Sequence, residues 1–162
     1  MRKLTVTHVF ETDVETYWKT FFDPEYNKKL YLEGLGFPHY EMLENSESKR
    51  RMKVTPKMNV PGPVAKILGD NFGYEEQGTF DKAGNIYRWK MVPNTLADKM
   101  TTTGFAKIEQ AGDGKVKRTS EANIEAKVFA VGGLLESTAE KEVRESWEKE
   151  AAYMSRYLKE KK

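Results

Sequence analysis

Residues 133–159 read as one unbroken amphipathic helix, and that stretch limits what the rest of the chain can do. Leu135, Ala139, Val143, Trp147, Ala151, Met154 and Leu158 recur every three or four positions, the spacing that gathers side chains on one face of an α-helix. At about 1.5 Å per residue the helix would be roughly 40 Å long, and its apolar stripe has to be covered along that length. Upstream the hydrophobic period falls to two. Strands are expected at 4–10, 37–46, 49–58, 72–81, 85–92, 99–110 and 115–128, because apolar and polar residues alternate there between turn-forming clusters. In the last of them Val116, Ala122, Ile124, Ala126 and Val128 alternate with Lys117, Thr119, Asn123, Glu125 and Lys127.

The connections support antiparallel pairing. Asn45-Ser46-Glu47-Ser48, Asp81-Lys82-Ala83-Gly84-Asn85 and Ala111-Gly112-Asp113-Gly114 are short and rich in turn formers. Two short helices are predicted between the first and second strands. One covers about 13–22, where Thr12 and Glu15 have capping-box spacing. The other opens at Asp23-Pro24, with Asp as N-cap and Pro in the first helical position, and stops near Gly34. One curved seven-stranded antiparallel sheet around one long C-terminal helix is the economical packing, an α+β fold.

Composition narrows the class. The 162 residues suit a single domain. The 27 basic and 25 acidic residues leave a net charge of +2, too little to predict nucleic acid as a partner. Cysteine is absent and only His8 and His39 represent histidine, so neither thiol chemistry nor a metal site is expected, and no cofactor motif is present. Met1-Arg2-Lys3-Leu4 leads straight into a strand, and no apolar run nears the ~20 residues of a membrane span. A soluble cytoplasmic location is therefore expected. The basic end, Lys159 to Lys162, is expected to fray.

The element order resembles the START-like superfamily, also called SRPBCC or the helix-grip fold. Several stretches look like an uncharacterised bacterial START-like family of unknown function. They are His8-Val9-Phe10, Asp23-Pro24-Glu25-Tyr26, Pro61-Gly62-Pro63-Val64 running to Leu68-Gly69-Asp70, Pro93 to Lys99, and Glu125 to Phe129 with Gly132-Gly133-Leu134. A more distant similarity is to PRELI-like phospholipid-transfer proteins, through the early His-x-Phe and the basic second hairpin strand. The resemblance implies a cavity between sheet and helix that holds a lipid, sterol, polyketide or other hydrophobic molecule. It also implies that some relatives are cyclases or dehydratases.

The residues offer candidate walls for such a cavity. Tyr87, Trp89 and Met91 share one strand face, with Met52, Met58, Tyr74 and Met100 on neighbouring strands; methionine adapts to irregular apolar partners. Leu135, Thr138, Glu142 and Trp147 could line the helix side. The segment 60–72, with its two prolines and the apolar Val64, Ile67 and Leu68, reads either as a gate over the cavity mouth or as a plug for one end of the core. His8 falls on the apolar face of the first strand and is either a cavity donor or a core histidine satisfied by a neighbour. By parity Glu44, Glu76 and Arg118 also point inward; they would pair within the interior or lie at strand ends in water. If His8, Glu44 and Glu76 converged, acid–base catalysis would follow.

Two charged regions complete the inventory. Lys49 to Lys57 carries five basic residues in nine and reads either as a transient contact for an anionic membrane surface or as a solvated sheet face. The long helix holds seven acids and seven bases from Glu136 onward, expected to form a salt-bridged outer face. Three functions stay open. The first is binding, sequestration or transfer of a lipid or other hydrophobic small molecule. The second is a cyclase, dehydratase or hydrolase using His8, Glu44, Glu76 and Tyr74. The third is an interaction domain with a filled core.

Overall fold

In the computed structural model, which describes residues 1–161, the first strand pairs with the last. Strand β1 (Arg2–Phe10) is followed by α1 (Val14–Phe21), α2 (Pro24–Lys29) and a π-helical turn (Leu30–Gly34). A hairpin of β2 (His39–Asn45) and β3 (Lys49–Thr55) comes next, then α3 (Gly62–Leu68). Two further hairpins, β4 (Tyr74–Asp81) with β5 (Ile86–Pro93) and β6 (Met100–Gln110) with β7 (Val116–Ala126), lead to α4 (Gly132–Glu160). The seven strands form one antiparallel sheet in the order β1-β7-β6-β5-β4-β3-β2, the α+β arrangement expected. The sheet's inner face carries Leu4, Phe10, Tyr87, Trp89, Ile108, Val116, Ala122 and Ile124, packed against α1 and against Ala151, Met154 and Leu158 of α4. Helix α4 runs through Glu160 and so includes Lys159; Lys162, the last residue of the basic end, lies outside the described residues.

Local chemistry explains the element ends. Asp23 caps α2 by accepting from the Glu25 amide at 2.9 Å, with Pro24 in the first turn. For α1 the cap is Asp13 rather than Thr12: its carboxylate accepts the Thr16 amide at 2.7 Å and the Thr16 hydroxyl at 2.9 Å. The Thr16 amide is the main cause that holds the Asp13 carboxyl below its ordinary value. Asp13→Ala should therefore cost about 1 kcal/mol near neutral pH. A depressed carboxyl stabilises the fold above its unfolded pKa, so the difference from the parent should vanish as pH falls through the lowered folded value. Urea midpoints across the acid range would check this.

Four expectations need correction. The third stretch was expected to run to 58, but β3 stops at Thr55 because Pro56 has no N–H to give the ladder. Helix α2 ends at Lys29 and widens into the π-turn, closed by the Leu35 amide on the Leu30 carbonyl at 2.7 Å. A bulge between Met42 and Glu44 shifts the register, so Glu44 pairs with Arg51 and points to solvent. The acids of α4 do not form a mainly outward network: Glu136, Glu140, Glu148 and Glu150 reach the Met1 amine, Arg2, His8 and Arg118 across the sheet.

Candidate functional site

Sheet and helix do not meet along their whole length. Alternation in β4, β5 and β6 turns Tyr74, Glu76, Met91, Met100 and Thr102 inward, and α4 faces them with Leu135, Thr138, Ala139, Glu142, Val143, Ser146 and Trp147. Between these walls lies an outer chamber of about 170 Å³. Its end is covered by α3, whose Val64 and Leu68 are buried in a cluster with Ala126 and Leu135. Gly69 ends α3 at φ +82°, where a side chain would be strained. The π-turn supplies the third wall: the extra residue per turn brings Tyr31 and Leu35 to the chamber. Tyr31 stacks on Tyr40 with ring centroids 5.1 Å apart.

A second, inner chamber of about 90 Å³ adjoins it. Leu30, Tyr31, Glu76, Met91, Trp147 and Glu150 line both. Two buried ion pairs frame the inner chamber. Arg50 gives one Nη to Glu76 at 2.9 Å and the other to the Phe21 carbonyl at 2.9 Å, while its plane lies over the Phe21 ring at 4.2 Å. The Tyr87 hydroxyl donates to the same Glu76 oxygen at 2.8 Å. Arg118 forms a forked pair with Glu150, Nη1 to Oε2 at 2.9 Å, and also donates to the Tyr17 hydroxyl at 3.0 Å. Such forks suit a guanidinium, which matches a carboxylate with two parallel donors.

Burial dominates the protonation of the phenols. It pushes Tyr17 up to about 12 and raises Tyr31, Tyr74 and Tyr87 as well, with the Glu76 carboxylate adding to the effect at the last three. All stay neutral at ordinary pH. On α4, burial first and the neighbouring Glu145 second lift Glu142 above the usual carboxylate value. Among the described residues no group of three or more His, Cys, Asp or Glu could hold a metal ion, and no helix is long and apolar enough to cross a membrane.

Of the residues named from sequence, Met58, Leu68, Tyr74, Met91, Met100, Leu135, Thr138 and Trp147 line the outer chamber, with Met91 and Trp147 also in the inner one. Tyr87 and Trp89 line the inner chamber alone. His8, Met52 and Ile67 line neither. Met52 is fully buried on β3. His8 is a satisfied histidine, 3.0 Å from Glu148 and 3.4 Å from Arg118. Because an arginine can only donate, Nδ1 of His8 accepts from Arg118 and Nε2 faces Glu148. His8, Glu44 and Glu76 do not converge: β1 and β2 are opposite edges of the sheet, and Glu44 faces solvent. The basic stretch loses a member too, since the Arg50 side chain is only 3% exposed.

Arg50, Glu150, Tyr31 and Leu35 were missed. The first two had a signal. Arg50 shares parity with Met52 and Val54, and Glu150 falls on the stripe of Val143, Trp147 and Met154. The π-turn that positions Tyr31 has no comparable mark.

Comparisons with known proteins agree with this architecture. A family model described as proteins of unknown function (DUF2505) matches residues 5–158. No curated protein matches the sequence. Among solved structures, a protein from Thermus thermophilus superposes with a TM-score of 0.70 at 15% identity, covering 96% of this chain and 95% of its own. The Zhui aromatase/cyclase from a Streptomyces species gives 0.70 at 9% identity, covering 97% and 95%. Norcoclaurine synthase from Thalictrum flavum, in complex with dopamine and hydroxybenzaldehyde, gives 0.71 at 14% identity, covering 99% and 88%. At these identities the likeness is one of fold, the helix-grip scaffold.

Proposed function

Because this chain belongs to the DUF2505 family of proteins of unknown function and has the helix-grip fold, we propose that it binds a small hydrophobic molecule between the sheet and α4. The observation that supports this most is the outer chamber, about 170 Å³ of largely apolar space between the sheet and α4. A cavity of ~150 Å³ is enough to take up benzene, so the outer chamber suits a ring-sized molecule or a short acyl segment. A whole diacyl lipid would need α3 to move aside. Sequestration or transfer of a lipid thus requires the gating role of 60–72, whereas a small aromatic or aliphatic guest does not. Supply from an anionic membrane draws little support from β3, where Arg50 is buried and Arg51 already faces Glu44 and Glu75.

Native mass spectrometry of the purified protein, followed by solvent extraction, tests the reading. An apolar molecule near one per chain is the expected result, or, for a bare chain, saturable binding of n-butylbenzene by saturation-transfer NMR. Ala139→Trp should abolish that binding while leaving the fold intact, because Ala139 faces the outer chamber from α4 and indole would occupy the space. Equal binding by parent and variant would refute the site.

An acid–base enzyme in the same cavity is the second reading. It is favoured by Glu142, a cavity-lining carboxyl held above its ordinary value, opposite Tyr74 and Glu76. Two of the structural neighbours are enzymes by name. Turnover of a bound, extracted ligand that is lost in Glu142→Gln with ligand binding retained would establish it.

A further inference from the structure

Helix α4 turns two rows of side chains to the outer chamber. Leu135, Ala139, Val143 and Trp147 recur at every fourth position and form an apolar row. Thr138, Glu142 and Ser146 recur at the same interval beside it and form a polar one. Glu142 stands in the middle of the polar row. It is half-buried, and among the described residues it takes part in no ion pair. Burial and Glu145 lift its carboxyl, and the Asn59 amide, Lys141 and Lys149 do not make up the difference. A charge taken partly out of water ordinarily has a partner.

The charges of the chamber wall are unbalanced. Glu76, Glu142 and Glu150 line it, against Lys57, which is exposed. Glu76 and Glu150 are paired with Arg50 and Arg118, but both guanidiniums line the inner chamber and neither lines the outer one. A guest in the outer chamber therefore meets the carboxylates and not their partners. The field acts on other groups of the same wall: after burial, the Glu76 carboxylate is the next cause that raises the phenol of Tyr31 and that of Tyr74. An anionic guest would add a further like charge to this wall. A neutral guest would leave Glu142 uncompensated. A protonated amine supplies the missing charge, and a wall of low dielectric strengthens the pairing. Its three N–H donors match the carboxylate and the hydroxyls of Thr138 and Ser146, one turn to either side.

We propose that the outer chamber selects a ring-sized primary amine, its ammonium held by Glu142 between Thr138 and Ser146 and its apolar body against Leu135, Val143 and Trp147. This rests on the binding function above and names the ligand class for it.

Near-isosteric probes test it by two-dimensional amide NMR titration at neutral pH: n-butylbenzene, and phenylpropanol, phenylpropylamine and phenylpropanoate with the polar group at the end of the chain. The amine should bind about tenfold tighter than the alcohol, the scale of one hydrogen bond to a charged group, and the carboxylate should bind weakest. Glu142→Gln keeps the shape of the side chain and breaks no ion pair, so it should fold like the parent, bind n-butylbenzene as before and lose the preference for the amine. Glu145→Gln removes the same charge from a residue that does not line the chamber and should keep the preference. Ala139→Trp should abolish binding of the amine along with that of the hydrocarbon. Equal affinity of amine and alcohol for the parent, or a preference for phenylpropanoate, would overturn the ligand class and leave the cavity reading standing. An amine preference that survives in Glu142→Gln, or amine binding that survives in Ala139→Trp, would overturn the site. Failure of all the probes to bind would overturn the cavity reading and the proposal with it.

Discussion

Replacing Glu150 by leucine should destabilise the fold by about 3–5 kcal/mol, because it leaves the buried Arg118 guanidinium without its carboxylate. The Arg118 side chain is 4% exposed and Glu150 supplies both oxygens of its fork. What remains is the Tyr17 hydroxyl, the edge of His8 and the Phe10 ring at 4.8 Å, none of which carries a negative charge. For a domain of this size each kcal/mol lowers Tm by ~2–4 °C, so the transition should fall by about 6–20 °C. The double variant Arg118→Met with Glu150→Leu should recover most of the loss, since an apolar pair of similar volume removes the need for compensation. Thermal and urea melts of the single and double variants give the comparison. A Glu150→Leu protein as stable as the parent would mean that Arg118 has water to turn to.

Gly104→Ala should be the second large effect. Gly104 lies on β6 opposite Trp89 on β5 and Ala122 on β7. A Cβ there would overlap the backbone carbonyl of Glu121 and the indole of Trp89. The carbonyl belongs to a ladder and cannot swing away, so the strands must part or the indole must move. Overpacking of this kind costs ~1–3 kcal/mol. Trp89 lines the inner chamber, so its emission should shift along with the loss of stability. Gly62→Ala is the control, because a Cβ at Gly62 meets nothing within 4 Å. Equal denaturation midpoints for the two variants would contradict the close approach of β6 to β7.

The fold was legible because its signals are periodic. The stripe from Leu135 to Leu158 and the alternation of β7 depend on spacing alone, and spacing survives in the folded chain. The chamber walls were legible where they lie on such elements, as at Met91, Met100, Leu135, Thr138 and Trp147. Parity failed at Glu44, where one bulge reverses a side chain. It also failed to distinguish chamber from core, which is why Met52 was expected at the cavity and is buried elsewhere. Charge misled in the other direction. Arg50 was grouped with its basic neighbours although its parity put it with Met52 and Val54, and the acids of α4 were assigned to solvent although several reach across to β1 and β7. A charged residue inside a domain is specified by a distant partner, and local pattern carries no trace of Glu76 for Arg50 or of Arg118 for Glu150.

Those acids also give the cavity a mechanical asymmetry. Glu136, Glu140, Glu148 and Glu150 fasten α4 to Met1, Arg2, His8 and Arg118, all on or beside β1 and β7. Among the described residues no ion pair joins α4 to β2, β3, β4 or β5. The ionic contacts of the helix thus lie along one margin of the cleft, while elsewhere it meets α2 and α3 through apolar and aromatic side chains. A guest too large for the resting volume would work against the apolar contacts of α4 with α3 rather than against its ion pairs. The upper limit on guest size is then set by the apolar margin, and substitutions at the Arg2–Glu140 and His8–Glu148 pairs, whose residues line neither chamber, would leave it unchanged.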